Sequence, residues 1–237
     1  GGDPNNITIF GESAGSWSCN LQIAAGDNNL FQKAICQSGG LDAIATKEKA
    51  NLWAELFIGQ FENDGHKISD LRSCDWELIT NTAKKLKHSA LSDGKRWIFP
   101  EVGFLPVIDN KFIMDDYLET YSSSSTHLIA GTTLDEYKLW STFHPRIGKN
   151  DEEYITRRLS KMFESSKLSE IISAYREYLK INELGDIYSA ILTDICFGIP
   201  THNTLQKKEG HSFGYLFSTQ SDILGGKLGC FHASELP

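Results

Sequence analysis

The segment ITIFGESAG, residues 7–15, joins a run of strand-forming residues directly to a serine that lies between two glycines. Its β-branched and aromatic start, ITIF, predicts a short buried strand. Small and apolar residues then recur at helical spacing and predict a helix immediately after Ser13: Ala14, Trp17, Leu21 and Ala24. A Gly-x-Ser-x-Gly sequence between a strand and a helix is typical of a nucleophile elbow, a sharp turn that exposes the serine hydroxyl at the end of a sheet.

The residues of this turn suit the geometry of an elbow. Gly11 and Gly15 are expected to leave room where the backbone approaches itself closely. The N–H of Ala14, at the positive end of the predicted helix, would face negative charge that develops on a bound carbonyl oxygen. The alternative is a chance match in an ordinary turn, but the strand before it and the helix after it favour the elbow.

The rest of the chain alternates short apolar strands with longer helices. Three further strands are predicted at 33–37, 127–131 and 211–217. Helices are predicted at 46–61, 75–87 and 186–197. Residues 152–181 are predicted to be mostly helical, because their apolar residues recur at helical spacing. Gly198 and Pro200 are expected to end the helix at 186–197, and Asp93-Gly94 marks a loop. This alternation predicts an α/β fold with a mostly parallel sheet and helices on both faces.

Composition and charge argue against several classes of protein. A net charge of −8 over 237 residues, with no basic run longer than two residues, argues against a nucleic-acid-binding surface. No apolar run approaches the length of about 18 residues that a transmembrane helix needs. The five cysteines form no CxxC pair, so no zinc site is predicted, and Cys19 and Cys36 are interpreted as buried thiols. The compartment, secreted or cytoplasmic, and the oligomeric state stay open.

A serine hydroxyl becomes an effective nucleophile only with a base, and the base needs an acid to orient it. Where a nucleophile elbow is present, the chain order is serine, acid and histidine. The third predicted strand leads into Asp135 and Glu136, and an acidic pair just beyond a strand suits the position of the acid. The spacing does not choose between the two, and a solvated turn is the alternative interpretation.

Seven histidines compete for the position of the base: His66, His88, His127, His144, His202, His211 and His232. His127 and His211 begin predicted strands, which is the wrong end of a parallel strand for this site. His88 follows a lysine-rich helix end and is expected to be exposed. His232 lies in a glycine-rich loop after the last strand, from which an imidazole can reach Ser13. A purely structural loop histidine is the alternative.

Six segments, taken in chain order, resemble the type-B carboxylesterases, the carboxylesterase and cholinesterase group of α/β-hydrolases. They are GGDPNNITIFGESAG (1–15), LFQKAICQSGG (30–40), FLPVIDNKF (104–112), HLIAGTTLDE (127–136), TDICFGIP (193–200) and FHASELP (231–237). The family order of the segments, spread over nearly the whole chain, makes the resemblance specific.

The resemblance implies a role for each matching position. Ser13 would be the nucleophile, and His232 would be the base. Glu136, the second acid of its segment, would be the acid that orients the base, which leaves Asp135 as a turn residue. Ala14 would supply one N–H of the oxyanion hole.

Several neighbouring residues bear on the shape and charge of this site. Tyr137 follows the acid and Ala233 follows the histidine, where the family usually has glycine, and either could reshape the pocket. Glu12 is expected either to favour the protonated form of His232 through its charge or to serve as a structural hydrogen-bond acceptor. Four aromatic residues could line an apolar pocket or simply belong to the core: Trp17, Trp140, Phe143 and Phe231.

The resemblance also implies an activity. It implies a carboxylic ester hydrolase that acts on small-molecule esters through an acyl-enzyme intermediate, without a metal or an organic cofactor. The alternatives are another hydrolase of the same fold, such as a lipase or an amidase, and a non-catalytic adhesion or binding domain. Non-catalytic members commonly lack a triad residue, whereas all three positions carry competent residues here.

Finally, the resemblance implies that residues 1–237 form a single but partial catalytic domain, an internal fragment that runs from the elbow to the histidine. The family's N-terminal strands and glycine-rich oxyanion loop, and its C-terminal helix, would lie outside this chain. The fragment expressed alone is therefore expected to be poorly folded and inactive.

Overall fold

A computed structural model describes residues 1–26, 30–86 and 104–236, and within them four strands form one parallel sheet. The strands pair in chain order: β1 (Thr8–Glu12), β2 (Lys33–Gln37), β3 (His127–Thr133) and β4 (Ser212–Phe217). The four predicted strands and the predicted parallel sheet are confirmed, although β1 and β3 each run two residues further than expected. The prediction that the first strand is buried is wrong, because no residue of β1 is fully buried. Because parallel strands end at one edge of a sheet, the segments that follow the four strands meet at that edge.

Helices occupy most of the remaining described residues. They are α1 (Ala14–Ala24), α2 (Lys47–Asn63), α3 (Trp76–Lys85), α4 (Tyr117–Ser123), α5 (Lys138–Phe143), α6 (Glu152–Ser160), α7 (Ser165–Leu179), α8 (Leu184–Thr193) and α9 (Ile199–Lys207). The short helices α4 and α5 were not predicted, because six or seven residues are too few to show a helical repeat. None of the helices in the described ranges combines the length and the apolar character that crossing a membrane requires.

The helical segment that begins with α8 continues further than predicted. Gly198 and Pro200 do not end it, because a π-helical turn at Asp194–Gly198 connects α8 directly to α9. Gly198 keeps right-handed helical backbone angles, with φ −60° and ψ −58°. Pro200 lies at the second position of α9, where the N–H that proline lacks needs no partner within the helix. The prediction that the helix stops at these residues is therefore wrong.

Two aromatic residues within the predicted helices are largely exposed. Trp76 of α3 and Tyr178 of α7 have relative exposures of 69% and 86%. Each lies near a helix end, where a side chain on the apolar stripe can project past the neighbouring element. The loop predicted at Asp93-Gly94 and the exposed position predicted for His88 lie outside the described residues.

The chain divides into two compact units. Gly1–Asp42 and Asp116–Pro237 together hold the sheet, α1 and α4 to α9. Ala43–Asp115 holds α2 and α3 and has a small core of its own: Trp53, Phe57, Phe61 and Leu86. Every residue predicted for the site lies in the first unit. That residues 1–237 act as one catalytic domain stays a prediction.

The two sides of the sheet differ in their exposure. One side carries buried small and aliphatic residues that pack against α1 and α9, and the thiols of Cys19 and Cys36 are buried and free as predicted. The other side carries a row of residues in register across the four strands: Phe10, Ile35, Ile129 and Phe213. In this apolar row, Phe10 is 75% exposed and Phe213 is 62% exposed.

Candidate active site

Ser13 occupies a strained turn between β1 and α1. Its φ of 57° and ψ of −116° lie in a region that residues with a side chain rarely adopt, and such strain is typical of a nucleophile elbow. A Cβ added to Gly11 would lie 2.3 Å from the carbonyl carbon of Gly15, so Gly11 must be glycine. A Cβ added to Gly15 would meet no described atom within 4 Å, so the prediction that both glycines provide room is wrong for Gly15.

The first turn of α1 provides N–H groups beside the serine. Ser13 is the N-cap of the helix and makes no side-chain cap hydrogen bond, and Ala14 is the first helical residue. The first N–H groups of a helix have no acceptor within it, and the helix dipole adds partial positive charge at this end. The Ser13 N–H donates to the carbonyl of Gln37 at 2.8 Å, which ties the elbow to the end of β2. This arrangement suits a group that develops negative charge next to Ser13.

The Glu136 carboxylate is completely buried and fully hydrogen-bonded. Its Oε1 accepts the Ser38 hydroxyl at 2.5 Å and the Thr133 N–H at 2.8 Å. Its Oε2 lies 2.6 Å from Nδ1 of His232. These contacts hold the carboxylate in one orientation, because donors approach both of its oxygens from fixed positions.

Asp135, the other candidate acid, has a different set of partners. Its Oδ2 accepts the Cys230 N–H at 2.9 Å, and its own N–H donates to the Cys230 carbonyl at 2.8 Å. Its Oδ1 lies 3.2 Å from Nζ of Lys138. Asp135 therefore fastens the loop before His232 to the end of β3, while Glu136 alone of this pair contacts the imidazole.

The imidazole of His232 packs against two aromatic rings and is only 6% exposed. The ring centroids of Trp140 and Phe197 lie 5.0 Å and 4.8 Å from its own centroid. The residue after it, Ala233, has a φ of 67°, in the left-handed region that favours glycine. The departure from glycine at this position therefore carries local backbone strain.

Nε2 of His232 faces Glu12 in this structure. Glu12 Oε1 lies 3.0 Å from Nε2, and no hydrogen bond between described residues joins the Ser13 hydroxyl to the imidazole. Burial raises the pKa of Glu12; the Glu235 and Glu136 charges raise it further, and His232 opposes the shift. The structure thus brings Glu12, Glu136 and His232 together, and places Ser13 one residue from Glu12 without a bond from its hydroxyl to the base.

Ser38 also belongs to this cluster and was not predicted from the sequence. It follows β2, is fully buried, and has a φ of 56° that directs its hydroxyl to Glu136. A signal was present, because Ser38-Gly39-Gly40 closes β2 at the same edge of the sheet as Ser13. Of the four aromatic residues named as possible pocket lining, Trp140 contacts the imidazole, whereas Phe143 is 64% exposed. Within the described ranges, no three histidine, cysteine or acidic side chains are grouped as metal ligands would be.

Comparisons with known proteins find one sequence family and several relatives. The sequence model of the carboxylesterase family matches residues 1–237. Bile salt-activated lipase of Mus musculus is 31% identical over 265 residues, covering 100% of this chain and 43% of that protein. Acetylcholinesterase of Bungarus fasciatus is 32% identical over 170 residues, covering 66% of this chain and 27% of that protein. Para-nitrobenzyl esterase of Bacillus subtilis (strain 168) is 32% identical over 146 residues, covering 60% of this chain and 29% of that protein.

The chain is shorter than each of these relatives. The chain spans less than half of each of these relatives, 43% of the lipase being the largest share. Within that share, the alignment with the lipase extends over the whole of this chain and so includes the elbow, the acid segment and the histidine loop.

Proposed function

The chain belongs to the carboxylesterase family, and on this premise we propose that its full-length parent protein hydrolyses carboxylic esters through Ser13, His232 and Glu136. Members of the family have the α/β-hydrolase fold, with which the parallel sheet and its helices agree. The observation that carries the proposal is the buried Glu136–His232 pair, 2.6 Å apart, at the sheet edge where the strained Ser13 lies.

The proposed reaction has two acyl-transfer steps. His232 Nε2 takes the Ser13 proton while the hydroxyl oxygen attacks the ester carbonyl, and Glu136 stabilises the imidazolium through Nδ1. The Ala14 N–H donates to the resulting oxyanion. His232 then gives the proton to the leaving alcohol as the ester C–O bond breaks. Water, deprotonated by the same imidazole, then attacks the acyl carbonyl, and the imidazole returns the proton to the Ser13 oxygen as its bond to the acyl group breaks and the acid leaves.

The orientation of Nε2 towards Glu12 sets a condition for this reaction. The imidazole or the Ser13 side chain must turn so that Nε2 and the hydroxyl meet, because the base must lie within hydrogen-bonding reach of the proton it removes. Catalytic hydrogen bonds are often long in the absence of substrate and tighten only in the substrate complex. The Nδ1 contact with Glu136 is already in place in the structure.

Hydrolysis of a short-chain aryl ester by the full-length parent tests the proposal. We expect Ser13→Ala to lower kcat by at least about 10³-fold, with an unchanged unfolding midpoint, because the variant keeps the fold but loses the nucleophile. Ser18→Ala is the matched control, since Ser18 lies on the same helix and donates only to the Ala14 carbonyl. Full turnover by a folded Ser13→Ala variant would exclude the proposed mechanism.

A further inference from the structure

The rings against His232 are continuous with a polar network that the proposed reaction does not use. Trp140 contacts both the imidazole and Tyr137, whose ring centroid lies 5.3 Å from that of Trp140. Tyr137 in turn packs edge-on against Tyr188, with 6.0 Å between the two ring centroids. Tyr137 directly follows Glu136, so this chain of contacts starts beside the acid and returns to the base.

The network ends on a cation that has no carboxylate partner among the described residues. Arg158 Nε donates to the Tyr188 hydroxyl at 3.0 Å, and its Nη1 donates to the Tyr154 hydroxyl at 3.3 Å. Tyr188 is completely buried and Arg158 is half-buried. A hydrogen bond from a cation in such surroundings is stronger and more directional than one between neutral groups, so Arg158 fixes the position of the Tyr188 hydroxyl.

We propose that Tyr137, Tyr188 and Arg158 form a brace that holds the Trp140 indole against His232 and thereby sets the direction of Nε2. Tyr137 and Trp140 lie three residues apart at the start of α5, on one face of that helix. The brace connects this face to α8 through Tyr188 and to α6 through Arg158.

The direction of Nε2 matters because two groups compete for it. Nε2 lies 3.0 Å from Glu12 in this structure, whereas the proposed reaction needs it to face Ser13. Trp140 packs against the imidazole and Phe197 stacks on Trp140 at 5.9 Å, so a shift of Trp140 changes the surface against which the imidazole turns. This inference rests on the proposed function, and it makes Tyr188 a positioning residue that acts through Tyr137 and Trp140.

The test is a double-mutant cycle on kcat in the full-length parent. Tyr188→Phe keeps the ring and removes the hydroxyl that Arg158 holds, and we expect it to lower kcat about tenfold with KM changed less than about twofold, since small misplacements of a catalytic group cost rate rather than binding. In a Trp140→Leu background the same change should alter kcat less than about twofold, because the brace no longer has a ring to hold. The matched control, Tyr154→Phe, removes a hydroxyl bonded to the other end of Arg158 and should leave kcat unchanged.

A second measurement does not depend on turnover. The Nδ1 proton between His232 and Glu136 should give a far-downfield proton NMR signal in the parent, assigned by its loss in Glu136→Gln. We expect Tyr188→Phe to broaden or shift this signal and Tyr154→Phe to leave it unchanged. An equal loss of kcat in both Trp140 backgrounds, or an unchanged signal in Tyr188→Phe, would overturn the brace. An inactive wild-type parent would instead contradict the proposed function. The NMR comparison would then still test the brace, because it does not depend on turnover.

Discussion

At the scale of single residues, the buried Glu136 carboxylate depends on hydrogen bonds from its neighbours. A carboxylate without exposure is costly unless its oxygens are hydrogen-bonded, and here the Ser38 hydroxyl, the Thr133 N–H and the imidazole meet that need. Asp135, one residue earlier, is partly exposed and bonds the loop instead. The difference between the two acids therefore lies in their surroundings, which spacing along the chain does not reveal.

The first prediction concerns Ser38. Ser38→Ala removes a hydroxyl that donates to a buried charge, so we expect it to destabilise the full-length parent by about 2 kcal/mol and to lower kcat several-fold. Denaturant unfolding and steady-state kinetics measure the two effects. Ser18→Ala, at an exposed serine, is the control and should change neither. A Ser38→Ala variant with wild-type stability and kcat would show that this hydrogen bond is dispensable.

The second prediction concerns the charge of Glu12 and its sign. Burial raises the pKa of Glu12, so this carboxylate becomes negative only at a higher pH than an exposed glutamate. Once negative, it lies 3.0 Å from Nε2 and favours the protonated imidazole, which cannot act as a base. Glu12→Gln removes this charge from the neighbourhood of Nε2.

The acid limb of the kcat/KM profile of the parent should therefore move to lower pH by about half a unit to one unit in Glu12→Gln. A pH–rate profile on the short-chain aryl ester measures the shift. A movement to higher pH, or no movement, would leave Glu12 with only the structural role considered from the sequence.

At the scale of elements, the strand–elbow–helix unit shows how closely the backbone approaches itself. The side chain missing from Gly11 is what allows β1 and α1 to meet, because a Cβ there would overlap the Gly15 backbone. The two glycines of the motif suggested that both positions must lack a side chain. In the structure, only a side chain at Gly11 would overlap the neighbouring backbone. Neither periodicity nor the motif can separate the two, since the distinction depends on the direction of each Cα–Cβ bond.

This difference gives a paired prediction in the full-length parent. Gly11→Ala should unfold the elbow or strongly destabilise the protein, because the added carbon would lie 2.3 Å from backbone that cannot move aside. Gly15→Ala, which adds the same methyl group where no described atom lies within 4 Å, should be tolerated. Thermal unfolding and soluble yield compare the two. Equal effects of the two changes would contradict this account of the turn.

At the scale of the whole molecule, the sequence predicted the four strands and a mostly parallel sheet because each strand is short, apolar and bounded by turn residues. It also identified the candidate acid segment and histidine loop, because both follow strand ends. It could not predict Ser38 or the contacts of Tyr137, which depend on how segments far apart in the chain pack together. The continuous helix through Gly198 was missed because a π-helical turn has no pattern of its own in the sequence.

The apolar row across the sheet gives a prediction about the 237-residue chain in isolation. Phe10, Ile129 and Phe213 expose apolar surface on one side of the sheet, and such contiguous surface favours association or loose packing in water. We expect the isolated chain to bind a hydrophobic dye such as ANS and to melt without a cooperative transition. Phe10→Ser together with Phe213→Ser should weaken the dye signal. A cooperative melt with no dye binding would contradict the prediction.

The central claim, that Ser13 is the nucleophile of an ester hydrolase, is tested most directly by covalent labelling. The full-length parent is treated with a fluorophosphonate, digested, and analysed by mass spectrometry for the modified residue. The account predicts a single adduct on the peptide that contains Ser13, and none in the Ser13→Ala variant, because only a serine activated by a base attacks this reagent. A folded parent that takes no label, or takes it on another residue, would contradict the claim.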